Sequence, residues 1–355
     1  MKRFIPVLIL VFLVGTSLAC RAASEIIEDA TPTSAPRPTK HPTRTPQPPT
    51  ATPIPVSTRD DCPDGECIVA CVNKLDAIVD RKNKRPPRHE FDQDEEYTLV
   101  TYEIDGNEIL NPELGDAISS LKSYQKDTAA HQQIWDYFAA IIPPEQRRFL
   151  THYLVSTDGE DNTLAGVQQS QEAADQWDLS VDIIDTNDPK DLTYTLIHEF
   201  GHLLTLNPNQ VPPSKAIFNN PDSDSAYNKA KKSCKNYFPG EGCAKEDSYI
   251  NQFFNQFWYS EFYEEWLKVD GTEDADLYDS KLTRFYKKYK DSFVSDYAPT
   301  SPEEDIAESW TYFVLKPKPG SHSIANQKVL FFYEYPELVQ LREQIAHNLC
   351  DQLEK

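Results

Sequence analysis

The sequence holds 355 residues, enough for one large domain or two modest ones, and 39% of them are hydrophobic, which supports a real core. With 57 acidic against 35 basic residues the formal net charge is −22, which speaks against a nucleic-acid-binding surface. Beyond that, the acidic balance fits a body that must stay dispersed outside a cell.

Taken in chain order, Lys2 and Arg3 precede an apolar run over 4–14, interrupted by Pro6, and the small residues Gly15-Thr16-Ser17-Leu18-Ala19-Cys20 close it. This is the pattern of a secretory signal over 1–19, too short for a comfortable transmembrane helix. Leu18-Ala19-Cys20 resembles the lipobox of bacterial lipoprotein precursors. The resemblance implies cleavage before Cys20, lipidation of Cys20 and attachment to a membrane through that lipid. An ordinary signal peptide with a coincidental cysteine is the alternative. Nine of the 27 prolines then fall within 31–56, interleaved with threonine. Proline favours extended polyproline II and blocks helix and ladder hydrogen bonds, so 20–60 reads as a semi-rigid stalk. Plain disorder there would space the anchor from the body equally well.

The folded body is expected over 61–355, with an upper part at about 61–206 and a lower, helical part at about 207–355. After Cys20 six cysteines remain, an even number that reads as disulfides in an exported chain. Cys234 and Cys243 flank a turn-rich loop and are the easiest local pair. Cys350 would then tie the C-terminal end to the cluster Cys62, Cys67 and Cys71. A metal site built on that cluster is the alternative, although no nearby His accompanies it.

Residues 68–79 have helical spacing. Residues 97–104 alternate as a strand and end at the turn Asp105-Gly106-Asn107. Residues 129–142 read as a helix stopped by Pro143-Pro144. Residues 149–155 and 179–184 read as strands, the first followed by a turn at Ser156-Thr157-Asp158-Gly159. A helix start follows: Asp188 suits the N-cap, Pro189 the first helical position, and Asp191 adds a carboxylate to the first turn.

That helix carries His198-Glu199-Phe200-Gly201-His202. Histidines at i and i+4 project from one face a turn apart, a spacing that suits two imidazoles on one zinc ion. Glu199 stands beside them as general base for a water activated by the metal. Two histidines on an ordinary amphipathic helix would show the same spacing without a metal. Gly201 costs a helix interior about 1 kcal/mol relative to alanine, which a close approach by neighbouring backbone or by substrate would explain.

Zinc needs a third protein ligand and an open position. Residues 203–212 contain no His, so a distant carboxylate is expected. Glu261, Glu264 and Glu265 compete with Glu304, which lies in Pro302-Glu303-Glu304-Asp305-Ile306-Ala307-Glu308-Ser309-Trp310. Ser301 and Pro302 start a helix there, and Glu304 and Glu308 share its face. The alternative for Glu304 is to close a capping box with Ser301.

Together, HEFGH and PEEDIAESW resemble the gluzincin metallopeptidases, and are similar to bacterial zinc-binding metallopeptidases and to toxin zincins of the lethal-factor type. The close similarity covers these two helices, and the general layout covers about 145–315. The resemblance implies an α+β, zincin-like fold with the motif helix following a small sheet. It implies Glu304 as the third zinc ligand, Glu308 as the group that orients a zinc histidine, and Tyr297 as a donor to the oxyanion. The expected activity is zinc-dependent hydrolysis of protein or peptide substrates outside the cytoplasm. The rivals are a zincin-like binding module without activity and a zinc hydrolase acting on another amide. Between the two helices, residues 249–266 read as one aromatic helix with Phe254, Trp258, Phe262 and Trp266 four apart, a pattern of core packing before that of a substrate groove.

Overall fold

The structure, a computed structural model, describes residues 71–79, 96–159 and 163–353. The signal segment, Cys20, the Pro/Thr stretch, Cys62 and Cys67 lie outside them. The first described helix, α1 (Val72–Val79), falls within the 68–79 stretch of helical spacing, of which 68–70 lie outside the described residues.

β1 (Tyr97–Asp105) buries Leu99, Val100 and Tyr102, exposes Glu103 and Asp105, and pairs antiparallel with β2 (Glu108–Leu114). Gly106 takes φ +62° in the tight connection, a conformation that suits glycine. Arg147 grips this turn, donating to the Gly106 carbonyl and the Asn107 side chain. Two helices follow, α2 (Lys122–Lys126) and α3 (Thr128–Ile141), the second capped by Asp127. α3 buries Trp135 and Phe138 against the sheet, with the rings of Trp135 and Tyr153 5.7 Å apart.

β3 (Leu150–Thr157) pairs antiparallel with β1 and parallel with β5 (Trp177–Asp182). It runs through Ser156 and Thr157, which the sequence assigns to a turn. β4 (Ala165–Gln169) pairs antiparallel with β5, giving the order β2-β1-β3-β5-β4. Every residue of β5 is buried, as expected of a strand flanked by neighbours on both sides and covered on both faces. It ends at Asp182, and Ile183 and Ile184 belong to the turn that leads into α4 (Pro189–Leu206). There Asp188 caps as expected, its carboxylate accepting the Lys190 N–H.

Every described element after α4 is helical: α5 (Lys215–Phe218), α6 (Asp224–Ser233), α7 (Tyr249–Phe257), α8 (Tyr263–Asp270), α9 (Ala275–Lys288), α10 (Pro302–Leu315), α11 (Ile324–Phe331) and α12 (Pro336–Leu353). The chain is therefore mixed α+β with one five-stranded sheet, and a continuous apolar core joins sheet and helices. No described helix is long and apolar enough to cross a membrane.

Residues 249–266 are not one helix. The N–H groups of Glu261, Phe262 and Tyr263 all converge on the Trp258 carbonyl, making a tight corner between α7 and α8. The fourfold aromatic spacing marks shared packing all the same. Phe254, Trp258, Phe262 and Trp266 are all buried, with Trp258 4.9 Å from Phe262 and 5.6 Å from Trp266.

Two disulfides tie the described residues. Cys234 joins Cys243 across its loop, and Cys350 on α12 joins Cys71 at the start of α1, 279 positions away. Cys71 is thereby unavailable as a thiolate metal ligand.

Candidate metal centre

Two helices build the site, and their close approach explains the glycine in the motif. A Cβ on Gly201 would lie 3.0 Å from Trp310 Cδ1 and 3.2 Å from the Ala307 backbone of α10. The glycine lets α10 lie against α4, so side chains from both reach one point.

At that point His198 Nε2 is 3.0 Å from His202 Nε2 and 3.0 Å from Glu304 Oε2, and His202 Nε2 is 3.3 Å from the same oxygen. All three residues are buried. Behind them Glu308 Oε1 meets His198 Nδ1 at 2.9 Å, and the Tyr194 hydroxyl donates to Glu308 Oε2 at 2.7 Å. An ionised carboxylate only accepts, so Nδ1 of His198 carries a proton toward Glu308, and Nε2 is the ring atom directed at the cluster. Ser301 caps α10 by accepting the Glu304 N–H at 3.1 Å. The Glu304 carboxylate does not return to the cap but turns to the imidazoles.

The electrostatics describe a place for a cation. Burial would lift Glu304, but the two imidazoles outweigh it and hold this carboxyl well below the usual range. Glu308 is likewise lowered, because the hydrogen bond and charge of His198 overcome desolvation. His198 and His202 are raised against burial, chiefly by Glu304, with Glu308 adding to the effect on His198. Three lone-pair atoms at such distances repel unless a proton or metal ion stands among them, so the donor set fits a metal ion. A second acid group, Asp158, Asp182 and Asp185, lies at and just past the ends of β3 and β5 and has no imidazole.

Glu199 is buried beside the pair and accepts the Val167 N–H of β4 at 2.9 Å. Burial raises its carboxyl, against the pull of His202 and His198. Tyr297 stands over the site, its ring centroid 5.9 Å from that of His198, while half the residue (51%) remains open to solvent. The charge of Glu304 first, then burial and the Glu199 charge, push its phenol well above the ordinary value.

The structure thus brings His198, Glu199, His202, Tyr297, Glu304 and Glu308 together. The competing acids stay away: none of Glu261, Glu264 and Glu265 joins the group around the histidines, and Glu265 is held by Lys288 Nζ at 2.5 Å and the Tyr289 hydroxyl at 2.7 Å. Three participants were missed from sequence. Tyr194 lies four residues before His198 on the same helical face, a signal that was available. The Val167 amide depends on strand register and gave none. Glu241, on the loop closed by Cys234–Cys243, is lifted to about 7 by burial and the Glu303 charge, with His202 opposing. Compared with models of protein families, with curated proteins and with solved structures, the chain matches none.

Proposed function

We propose that this chain is a zinc-dependent peptidase of gluzincin type on a zincin-like fold, held outside the cytoplasm by a lipid on Cys20 and the Pro/Thr stalk. The observation that carries the reading is the convergence of His198 Nε2, His202 Nε2 and Glu304 Oε2 at 3.0–3.3 Å with Glu199 beside them. Two ligands of a tetrahedral zinc with bonds of about 2.0–2.1 Å stand about 3.3 Å apart, close to those separations. Two histidines and one carboxylate, with no fourth protein ligand in the group, leave a position open for chemistry. The two disulfides agree with an oxidising compartment.

His198, His202 and Glu304 would hold the ion, and Glu308, steadied by Tyr194, fixes the face His198 presents. When bound, zinc lowers the pKa of a water and polarises a carbonyl. Glu199 takes the proton of the attacking water and passes it to the leaving amine. Tyr297 donates its hydroxyl proton to the oxyanion that develops on the former carbonyl. β4 is an edge strand, and Glu199 lies against its open side, bonded to Val167. An extended peptide laid along that edge would bring its backbone to the base, which favours a peptide substrate over another amide.

The test is zinc content together with cleavage of casein and of a peptide library, for wild type and Glu199→Ala. We expect both to bind one zinc and the variant to lose at least about 100-fold in rate. Bound zinc with no cleavage of any peptide would sink the peptidase and leave the zincin-like binding module.

A further inference from the structure

The acid next to Glu304 is turned away from the histidines, toward α11 and the corner between α7 and α8. Asp305 Oδ2 lies 2.5 Å from Lys328 Nζ on α11, and both side chains are completely buried. The indole N–H of Trp258, at the corner between α7 and α8, donates to the same oxygen at 2.8 Å. Aromatic rings enclose the ammonium, with Phe293 at 4.0 Å, Phe262 at 5.3 Å, Trp258 at 5.8 Å and Phe253 at 6.0 Å. Asp305 Oδ1 has no donor, and the ammonium makes no hydrogen bond besides the ion pair.

Stability does not account for this arrangement. Desolvating two charges costs about as much as their attraction returns, and an apolar pair of similar volume is often as stable or more so. Here one carboxylate oxygen is also left without a donor, which adds to the cost, while the rings around the ammonium offset part of its own. What the pair supplies is direction. The surrounding wall is aromatic, and apolar contacts tolerate a helix that rotates or slides. A point contact between charges does not.

Direction matters at this residue. Successive helix positions are about 100° apart, so a tether on Asp305 fixes where the neighbouring Glu304 points. Glu308, one turn from Glu304, moves with it. Glu304 must meet two imidazoles while Glu308 meets the far nitrogen of one of them, and a small rotation of α10 breaks one set or the other. Gly201, against Ala307 and Trp310, sets how near α10 comes to α4.

We propose that the Asp305–Lys328 pair, with Trp258, is a positioning device that sets the rotation of α10 so that Glu304 and Glu308 engage His198 and His202 together. The inference rests on the metal-centre reading above. Its test uses the full chain with Asp305→Leu, Lys328→Met and the double variant, measuring thermal unfolding of the metal-free protein, zinc affinity by chelator competition and the visible spectrum of the cobalt-substituted protein. Each single variant leaves a buried charge unpaired and should lower Tm. The double variant should recover most of that Tm, yet bind zinc at least 10-fold more weakly than wild type and give a shifted cobalt spectrum. A role confined to folding predicts that zinc affinity returns with Tm. A double variant with wild-type affinity and spectrum overturns the proposal. Should the double variant fail to fold, Lys328→Arg decides: it keeps the charge but moves the tether, and unchanged zinc affinity and cobalt spectrum would overturn the proposal equally. Wild type that takes up no zinc removes the metal-centre reading and this inference with it, whereas zinc bound alike by wild type and variants removes only this inference.

Discussion

Glu241 shows how one residue near the site makes stability depend on pH. Its Oε2 is sealed from solvent without a hydrogen-bond donor, although part of the residue is open to water. Desolvation, with the Glu303 charge, lifts its carboxyl from 4.5 to about 7. A raised acid means that, between those values, the folded chain keeps a proton that the unfolded chain has released. Stability therefore falls as pH rises through this window, and the loss is complete above about 7. Glu241→Gln removes the titration. Relative to wild type, the variant should gain on the order of 2 kcal/mol between pH 4.5 and 8, after allowing for the exposed part of the side chain. Denaturant unfolding of the metal-free proteins at the two pH values checks this. A difference between variant and wild type that stays flat with pH would count against it.

At the scale of elements, the contact between α4 and α10 governs the site. Gly201→Ala would gain about 1 kcal/mol of helix propensity in isolation. Against Trp310 Cδ1 at 3.0 Å and the Ala307 backbone at 3.2 Å, the added methyl must push one helix away, and overpacking of this kind costs about 1–3 kcal/mol. We expect no net gain in Tm and a weaker zinc site, because Glu304 recedes from both imidazoles; calorimetry with chelator competition reads both. A variant more stable than wild type with zinc affinity unchanged would show that α10 has room to spare. The same contact marks what the sequence could express. The start of α4, the two histidines and the cap of α10 are written in residues at most four apart, so Asp188, Pro189, His198, His202, Ser301 and Pro302 were readable. The meeting of Glu304 with His198, 106 residues away, came from the resemblance rather than from local pattern. β4 was invisible because Ala165-Gly166-Val167-Gln168-Gln169 has little strand character of its own and is held by its pairing with β5. The corner at Trp258 was hidden because the fourfold aromatic spacing continues straight across it. Lys328 reads as a surface lysine until its partner, 23 positions earlier, is brought to it.

Among the described residues the strands precede α4 and helices follow it, and one continuous apolar core joins the two parts. The Cys71–Cys350 bond joins α1 to α12 and closes nearly the entire described chain into one loop. Linking residues 279 apart removes far more freedom from the unfolded chain than linking residues nine apart, as Cys234–Cys243 does. The chain-entropy relation gives about 5.6 kcal/mol for the first and about 2.6 kcal/mol for the second. The approach of the metal-centre residues is set by α4 against α10. The double variant Cys71→Ser/Cys350→Ser should therefore lose the more stability while keeping its zinc affinity within about threefold, a change under 1 kcal/mol. Cys234→Ser/Cys243→Ser should lose less, because the Pro213–Gly242 bridge and the Ser214 N–H bond to the Glu241 carbonyl still pin that loop. Unfolding in denaturant under non-reducing conditions ranks the two. A larger loss from the short loop would mean that its bond acts through the folded structure around Glu241, and the entropic account of both bonds would have to be given up.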